Sequence, residues 1–188
     1  MHDQRERHMQ AVDKILQYLK SSPGKGLLFK KEDTLTMKIY IDADYAGTSR
    51  YCMFLGDSLV TWRSKKQDRV SRSSAEAEFQ ALAQGMCEGL WMKIILDDLK
   101  VKVDNPVQLY CDNKSFMSIA HNPVQHDRTK HIEIDRHFIK DNLDRGFVIT
   151  THVPTELQIA DIFTNGLPQG RFQDLVGKLG MIDIHLPT

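Results

Sequence analysis

The chain has no excess of either charge: its 188 residues carry 25 Lys+Arg and 25 Asp+Glu. That excludes a global basic field drawing in nucleic acid or an anionic membrane, so any polyanion must be held by a local patch. Cysteine is scarce. Cys52, Cys87 and Cys111 are scattered, odd in number and without C-x-x-C spacing. They read as buried thiols in a reducing compartment, not as a disulfide framework or a zinc site. No apolar run approaches the roughly 20 residues that span a bilayer. The first ten residues, MHDQRERHMQ, are charged and lack the apolar core of a signal peptide. These absences predict an intracellular protein, cytoplasmic or else nuclear, with no membrane partner. There is no low-complexity tract and no internal repeat. What is present is an ordinary globular composition, 41% hydrophobic and 27% charged, in a chain long enough for one domain with a real core.

Periodicity gives the organisation. Met9, Val12, Ile15, Leu16 and Leu19 share one stripe and predict a helix over 5–20, broken by Ser21-Ser22-Pro23-Gly24. Alternation predicts strands at about 36–42, 51–55 and 59–62, the last two joined by a Gly56-Asp57 turn, as three antiparallel strands. A long helix is expected over about 74–99, with Gly85 or Gly89 as possible breaks. A strand (107–111), a short helix (about 114–120) and a loop rich in His and Pro follow. Then come a helix (about 131–144), a Gly146 stop, a strand (147–153), a helix from Glu156 to about Asn165 and a last helix (about 170–179). An antiparallel hairpin set leading into β-α-β units implies an α/β fold with a mixed sheet flanked by helices.

Two of the strands end alike, on Tyr40-Ile41-Asp42 and Tyr110-Cys111-Asp112. If they are parallel neighbours, Asp42 and Asp112 sit side by side at the carboxyl ends of the sheet, where open α/β folds place their sites. Like charges that close require a proton or a cation between them. The long helix offers a third carboxylate. Glu76 and Glu78 flank its apolar stripe (Ala75, Phe79, Leu82, Met86) equally, so periodicity does not choose between them. Ser73-Ser74-Ala75-Glu76 has capping-box spacing, which gives Glu76 a structural task and leaves Glu78 for chemistry. Thr155-Glu156-Leu157-Gln158 reads as a second capping box, opening the helix that carries Asp161. Asp161 lies between Ala160 and Ile162, where a carboxylate needs compensation by a metal ion or by a Lys or Arg. Each aspartate alone would more often be a turn residue; the set is the argument. Oxygen-only ligands favour Mg²⁺ or Mn²⁺ over zinc.

Six strings in fixed order carry a family likeness: YIDADYAG (40–47), VTWRSKKQ (60–67), SRSSAEAEF (71–79), LYCDNKS (109–115), NPVQHDRTKHIEIDRHFI (122–139) and VPTELQIADIF (153–163). Over nearly its whole length the chain resembles the ribonuclease H domain of copia-type LTR-retrotransposon Pol polyproteins. The resemblance implies an RNase H-like fold, with a five-stranded mixed sheet whose first three strands are antiparallel. It implies a metal site of Asp42, Glu78, Asp112 and Asp161 binding two Mg²⁺ or Mn²⁺ ions. It also implies hydrolysis of the RNA strand of RNA·DNA hybrids to 5′-phosphate and 3′-hydroxyl products. Residues 1–35 resemble the stretch joining reverse transcriptase to RNase H, which makes the reverse transcriptase of the same polyprotein a partner. Residues 36–166 would form the RNase H-like domain, and 167–188 a C-terminal helix and tail. The polymerase's YADD-type motif is absent. The segment between Gly47 and Tyr51 is shorter than the family's Arg-Ser-Thr-Ser-Gly-type connection, and Asn165 stands where the family shows lysine.

In such a site ions roughly 4 Å apart activate water for an in-line displacement. Asp42, on a central strand, would bridge both ions; Asp112 and Glu78 would hold one and Asp161 the other. Hybrid recognition is expected through shape and 2′-hydroxyls, with Ser73, Ser74 and Asn113 beside the carboxylates; Ser73 serves equally well as the helix cap. Arg63, Lys65, Lys66, Arg69 and Arg72, with Trp62 beside them, form the strongest basic cluster, read as a phosphate grip or as a solvated loop. His121, His126 and His131 lack the cysteines and spacing of a zinc site; His131 or His137 would instead assist product release or pack structurally. The alternative function is a catalytically silent module of the same fold that binds nucleic acid or scaffolds a polymerase. An integrase-like transferase is disfavoured by the order of the acidic residues.

Overall fold

Period-two alternation between residues 37 and 66, followed by a long helical stripe, sets a sheet against a helix layer. The computed structural model describes residues 4–21, 23–29, 35–44, 48–66, 74–103, 106–113, 130–163 and 166–183; within these, the side chains at 4, 5, 7, 18, 19, 44, 48, 65, 66, 74–76, 78 and 130–132 lie outside the description. In chain order the elements are α1 (Gln4–Ser21), β1 (Lys25–Leu27), β2 (Met37–Asp44), β3 (Thr48–Leu55), β4 (Ser58–Lys66), α2 (Ser74–Asp98) and β5 (Val107–Cys111). Then follow α3 (Lys130–Asp144), β6 (Val148–His152), two 3₁₀ turns (Thr155–Leu157 and Ile159–Phe163), α4 (Gln169–Lys178) and β7 (Met181–Asp183). The expected short helix at 114–120 and the loop with His121 and His126 fall outside the described residues.

Five strands form one mixed sheet in the order β4-β3-β2-β5-β6. β2, β3 and β4 pair antiparallel, whereas β5 joins β2, and β6 joins β5, in parallel. This is the architecture the family resemblance implies. The β2–β3 ladder runs to Asp44↔Thr48, so only residues 45–47 connect the two strands. One face of the sheet (Ile39, Ile41, Met53, Leu109) packs on Phe79, Leu82 and Met86 of α2 and on Ile139 of α3. The opposite face carries Tyr40, Cys52 and Phe54 against Ile159 and Ala160 of the second 3₁₀ turn, Leu175 of α4 and Leu179 just beyond it. There Tyr40 stacks on Tyr110, with ring centroids 4.7 Å apart.

The helix α2 is unbroken at both glycines. Their role is close approach: a Cβ on Gly89 would stand 2.7 Å from Ile39 Cδ1 and 3.2 Å from Val107 Cγ1, and Gly85 meets Ile41 in the same way. Since Gly85 lies over Ile41 and Gly89 over Ile39, α2 runs antiparallel to β2. Its first turns, with Glu78, are therefore at the carboxyl end of β2, the end that bears Asp42.

Two expectations are corrected, and one pairing was not foreseen. The helix over 156–165 is two 3₁₀ turns, because Gln158 between them is extended (φ −70°, ψ 106°). Gln158 is fully buried, and its carboxamide donates to Ile41 O at 2.9 Å and accepts from Ala160 N at 3.3 Å. A side chain turned inward to bond β2 cannot belong to a continuing surface helix. The capping box at Thr155 is absent as well, with no side-chain cap on the turn. Finally, β1 and β7 form an unforeseen two-stranded antiparallel sheet, too short to announce itself by alternation. The α1 helix forms as expected, but its stripe (Met9, Val12, Ile15, Leu16) is exposed.

Gln158→Leu is expected to destabilise the fold by about 1–3 kcal/mol, because it strands the buried Ile41 carbonyl without its donor. Urea denaturation of the variant beside the parent checks this; an unchanged midpoint would show that water replaces the carboxamide.

Candidate active site

The parallel pairing of β2 with β5 aligns Tyr40 with Tyr110, which brings the two strand-end aspartates to the same edge of the sheet. The third described carboxylate arrives from the other side of the chain: the second 3₁₀ turn lies across the Tyr40 face and carries Asp161, 4% exposed. Asp42 and Asp161 meet. Burial is the main force pushing the Asp42 carboxyl up to about 6. Arg50 acts against it, and Asp161 adds to it by its charge and by a side-chain hydrogen bond.

Each of these two acids has an arginine. Arg50, directly opposite Asp42 in the β2–β3 ladder, donates from Nη1 to Asp42 Oδ2 at 2.6 Å. Arg171, from α4, donates from Nη2 to Asp161 Oδ2 and also to Thr155 O. Of the two compensations open for Asp161, the structure thus supplies the arginine. Asp112 is held differently. Thr155 Oγ1 donates to Asp112 Oδ2 at 3.1 Å, which is where the hydroxyl read as a helix cap is used. His152 Nε2 lies 3.1 Å from the Asp112 carbonyl, so its Nε2–H tautomer is the one that bonds.

The remaining predicted residues are placed less closely. Glu78 is in the first turns of α2, with its side chain outside the described atoms; the same holds for the side chains of Glu76, Ser74 and His131 in their helices and of Lys65 and Lys66 at the end of β4. Ser73, Arg69 and Arg72 lie outside the described residues. Asn113 follows β5, half-buried beside Asp112. Arg63 points to the α2 side and pairs with Glu88 at 3.5 Å. Trp62 lies on the Tyr40 face and stacks on Phe163, two residues beyond Asp161, with centroids 6.3 Å apart. His137 is exposed on α3. Arg50, Arg171 and His152 went unread in the sequence, and Thr155 and Gln158 were read there only as a helix cap. Extending the alternation of β3 back to Thr48 would have set Arg50 opposite Asp42; Arg171 had no local signal.

A hard divalent ion fits the donor chemistry: carboxylate oxygens only, two of them close enough to disfavour double ionisation. Among the described residues no three acidic, His or Cys side chains converge on one point as they stand. A cavity of about 520 Å³ is lined by Tyr40, Tyr110, His152, Lys38 and Lys178, and none of Asp42, Asp112 and Asp161 borders it.

The Asp42 environment makes a pH prediction. The folded carboxyl, at about 6, binds its proton more tightly than the unfolded one near 3.8. The folded state therefore holds more protons in that window, and stability falls as pH rises through it, by on the order of 2–3 kcal/mol, then levels off. Urea midpoints between pH 4 and 7 should show this fall in the parent and lose it in Asp42→Asn. A constant difference between the two proteins across the window would show that Asp42 titrates normally.

Comparison with known proteins gives relatives at substantial identity. The chain is 39% identical over 188 residues to the retrovirus-related Pol polyprotein of transposon RE1 from Arabidopsis thaliana, covering 96% of this chain and 13% of that protein. It is 37% identical to the Pol polyprotein of transposon RE2 from the same plant (98% and 13% covered). To the Pol polyprotein of transposon TNT 1-94 from Nicotiana tabacum it is 32% identical (92% and 14% covered). The chain thus spans about an eighth of the length of these relatives. Among solved structures, a foamy viral protease-reverse transcriptase in complex with double-stranded DNA superposes with a TM-score of 0.56 at 12% identity, over 79% of this chain and 24% of that one. The N-terminal RNase H domain of Rv2228c from Mycobacterium tuberculosis superposes with a TM-score of 0.48 at 13% identity, over 77% of this chain and 98% of that one. No family model matches the chain.

Proposed function

This chain is homologous to the Pol polyproteins of copia-type retrotransposons and has a ribonuclease H-like fold, and from that premise we propose that it is a metal-dependent endoribonuclease that cleaves the RNA strand of RNA·DNA hybrids. The observation that carries this reading is the meeting of Asp42 and Asp161 at the carboxyl end of the central strand, beside Asp112 of the parallel neighbour. Asp42, Asp112, Asp161 and Glu78 are the residues that would hold Mg²⁺ or Mn²⁺. Such ions, when bound, supply activation of a water molecule and neutralisation of charge on the leaving oxygen.

The chain's own residues supply the positioning. Thr155 fixes one oxygen of Asp112, His152 ties down its backbone, and Gln158 anchors the turn that presents Asp161 to β2. Ser73, Ser74 and Asn113 are proposed to meet 2′-hydroxyls across the hybrid's shallow groove, and Arg63, Lys65 and Lys66 to meet phosphates. The exposed stripe of α1 is the face assigned to the reverse transcriptase portion of the same polyprotein.

A silent nucleic-acid-binding module is the second reading, favoured by the arginines already seated on Asp42 and Asp161. The deciding experiment is incubation of a 5′-labelled RNA annealed to DNA with Mg²⁺ or Mn²⁺. Metal-dependent cutting of the hybrid with single-stranded RNA spared supports the enzyme. Hybrid binding without cutting supports the silent module.

A further inference from the structure

The two acids that meet in the candidate site come with their own cations, and the two ion pairs are not alike. Arg171 reaches Asp161 from the surface of a helix, with its side chain 28% exposed. Arg50 is rooted in a strand, 4% exposed, and its backbone is the direct ladder partner of Asp42, so both side chains leave the sheet on one face with no slack between them. Its guanidinium takes Asp42 Oδ2 at 2.6 Å, one of the two oxygens that ions bridged by this carboxylate would share. Together the two carboxylates and two guanidiniums sum to zero charge. With both arginines in place, an entering ion would be held by the charge of Asp112 and Glu78 alone, without that of Asp42 and Asp161.

We propose that Arg50 is a resident counter-cation of this site: it neutralises Asp42 when no ion is bound, and a divalent ion must compete with it for the charge of Asp42 and displace it to take Oδ2. Arg50 thereby sets the site's affinity for the ion, lowering it in exchange for a cluster that stays folded when empty. It is a positioning residue that acts through Asp42. The inference rests on the metal-site reading given above.

The test is Mn²⁺ binding to the intact chain, read from the electron paramagnetic resonance of the free ion. The parent is compared with Arg50→Met, Arg50→Lys, Arg171→Met and the double variant Arg50→Met with Asp42→Asn. Arg50→Met is expected to bind Mn²⁺ at least about tenfold more tightly than the parent, a modest part of what removing a unit charge beside a divalent ion can give. Arg171→Met should gain less, and the double variant should lose the gain. In EDTA, Arg50→Met should melt below the parent and recover on adding Mn²⁺, which a purely structural arginine would not produce. Should Arg50→Met fail to fold, Arg50→Lys serves: its shorter point cation releases Asp42 more readily, and tighter Mn²⁺ binding than the parent is again expected. Parent-like binding in the folded Arg50 variants overturns this inference and leaves the metal site standing. No binding by any of the proteins overturns both.

Discussion

Asp42→Asn should lose hybrid cleavage by more than about 10²-fold at saturating Mn²⁺, since the change reaches further than the loss of a ligand's outer partner. Asparagine keeps the shape of the side chain and one acceptor oxygen for Arg50, so the β2–β3 ladder has no reason to open. What it removes is the charge. Asp42 sits on the central strand in contact with both Arg50 and Asp161. Asp112→Asn is expected to follow in the same assay, because Thr155 holds that carboxylate in one orientation. The measurement is the rate of appearance of labelled RNA fragments, alongside circular dichroism to establish that the variants are folded. Retention of more than a tenth of the parent's rate by Asp42→Asn would remove Asp42 from the catalytic set.

Gly89→Leu is expected to destabilise the helix layer strongly, at about 3 kcal/mol or more, in the upper range for overpacking a filled core. The glycine faces two strands at once, Ile39 on β2 and Val107 on β5, both almost fully buried. Ile39 can turn its terminal methyl aside; the β-branched Val107 has little room to do so. Gly89→Ala is the informative control. A better helix former gains about 1 kcal/mol over glycine, which offsets much of the tight contact, so its net change should be small. Thermal melting of both variants checks the pair. If Gly89→Leu melts with the parent, α2 is free to slide on the sheet, and the seating that brings Glu78 to the end of β2 is not set by this contact.

The fold was readable where periodicity is strong and local. The strand at 107–111 and the helices at the two ends of the chain follow from apolar spacing alone, and the aspartates that end β2 and β5 mark the edge of the sheet. Reading failed where a side chain is recruited by something far along the chain. Thr155 and Gln158 have the spacing of a capping box, yet one bonds Asp112 and the other Ile41, so a signal for a helix start was in fact a tether between elements. The glycines of α2 looked like breaks because the sequence does not show what lies across from them.

The same division runs through the candidate site. The sequence by itself determined which acids were available, their order along the chain and the oxygen-only chemistry they offer, because these depend on residue type and on the local alternation of strands. Only the tertiary structure decided what surrounds each acid. Arg50 faces Asp42 because a three-residue connection sets the register of β2 against β3. Arg171 reaches Asp161 because α4 packs beside the turn that carries it. Charge pairing of this kind is settled by distances across the fold, and neighbours in space need leave no periodic trace in the chain.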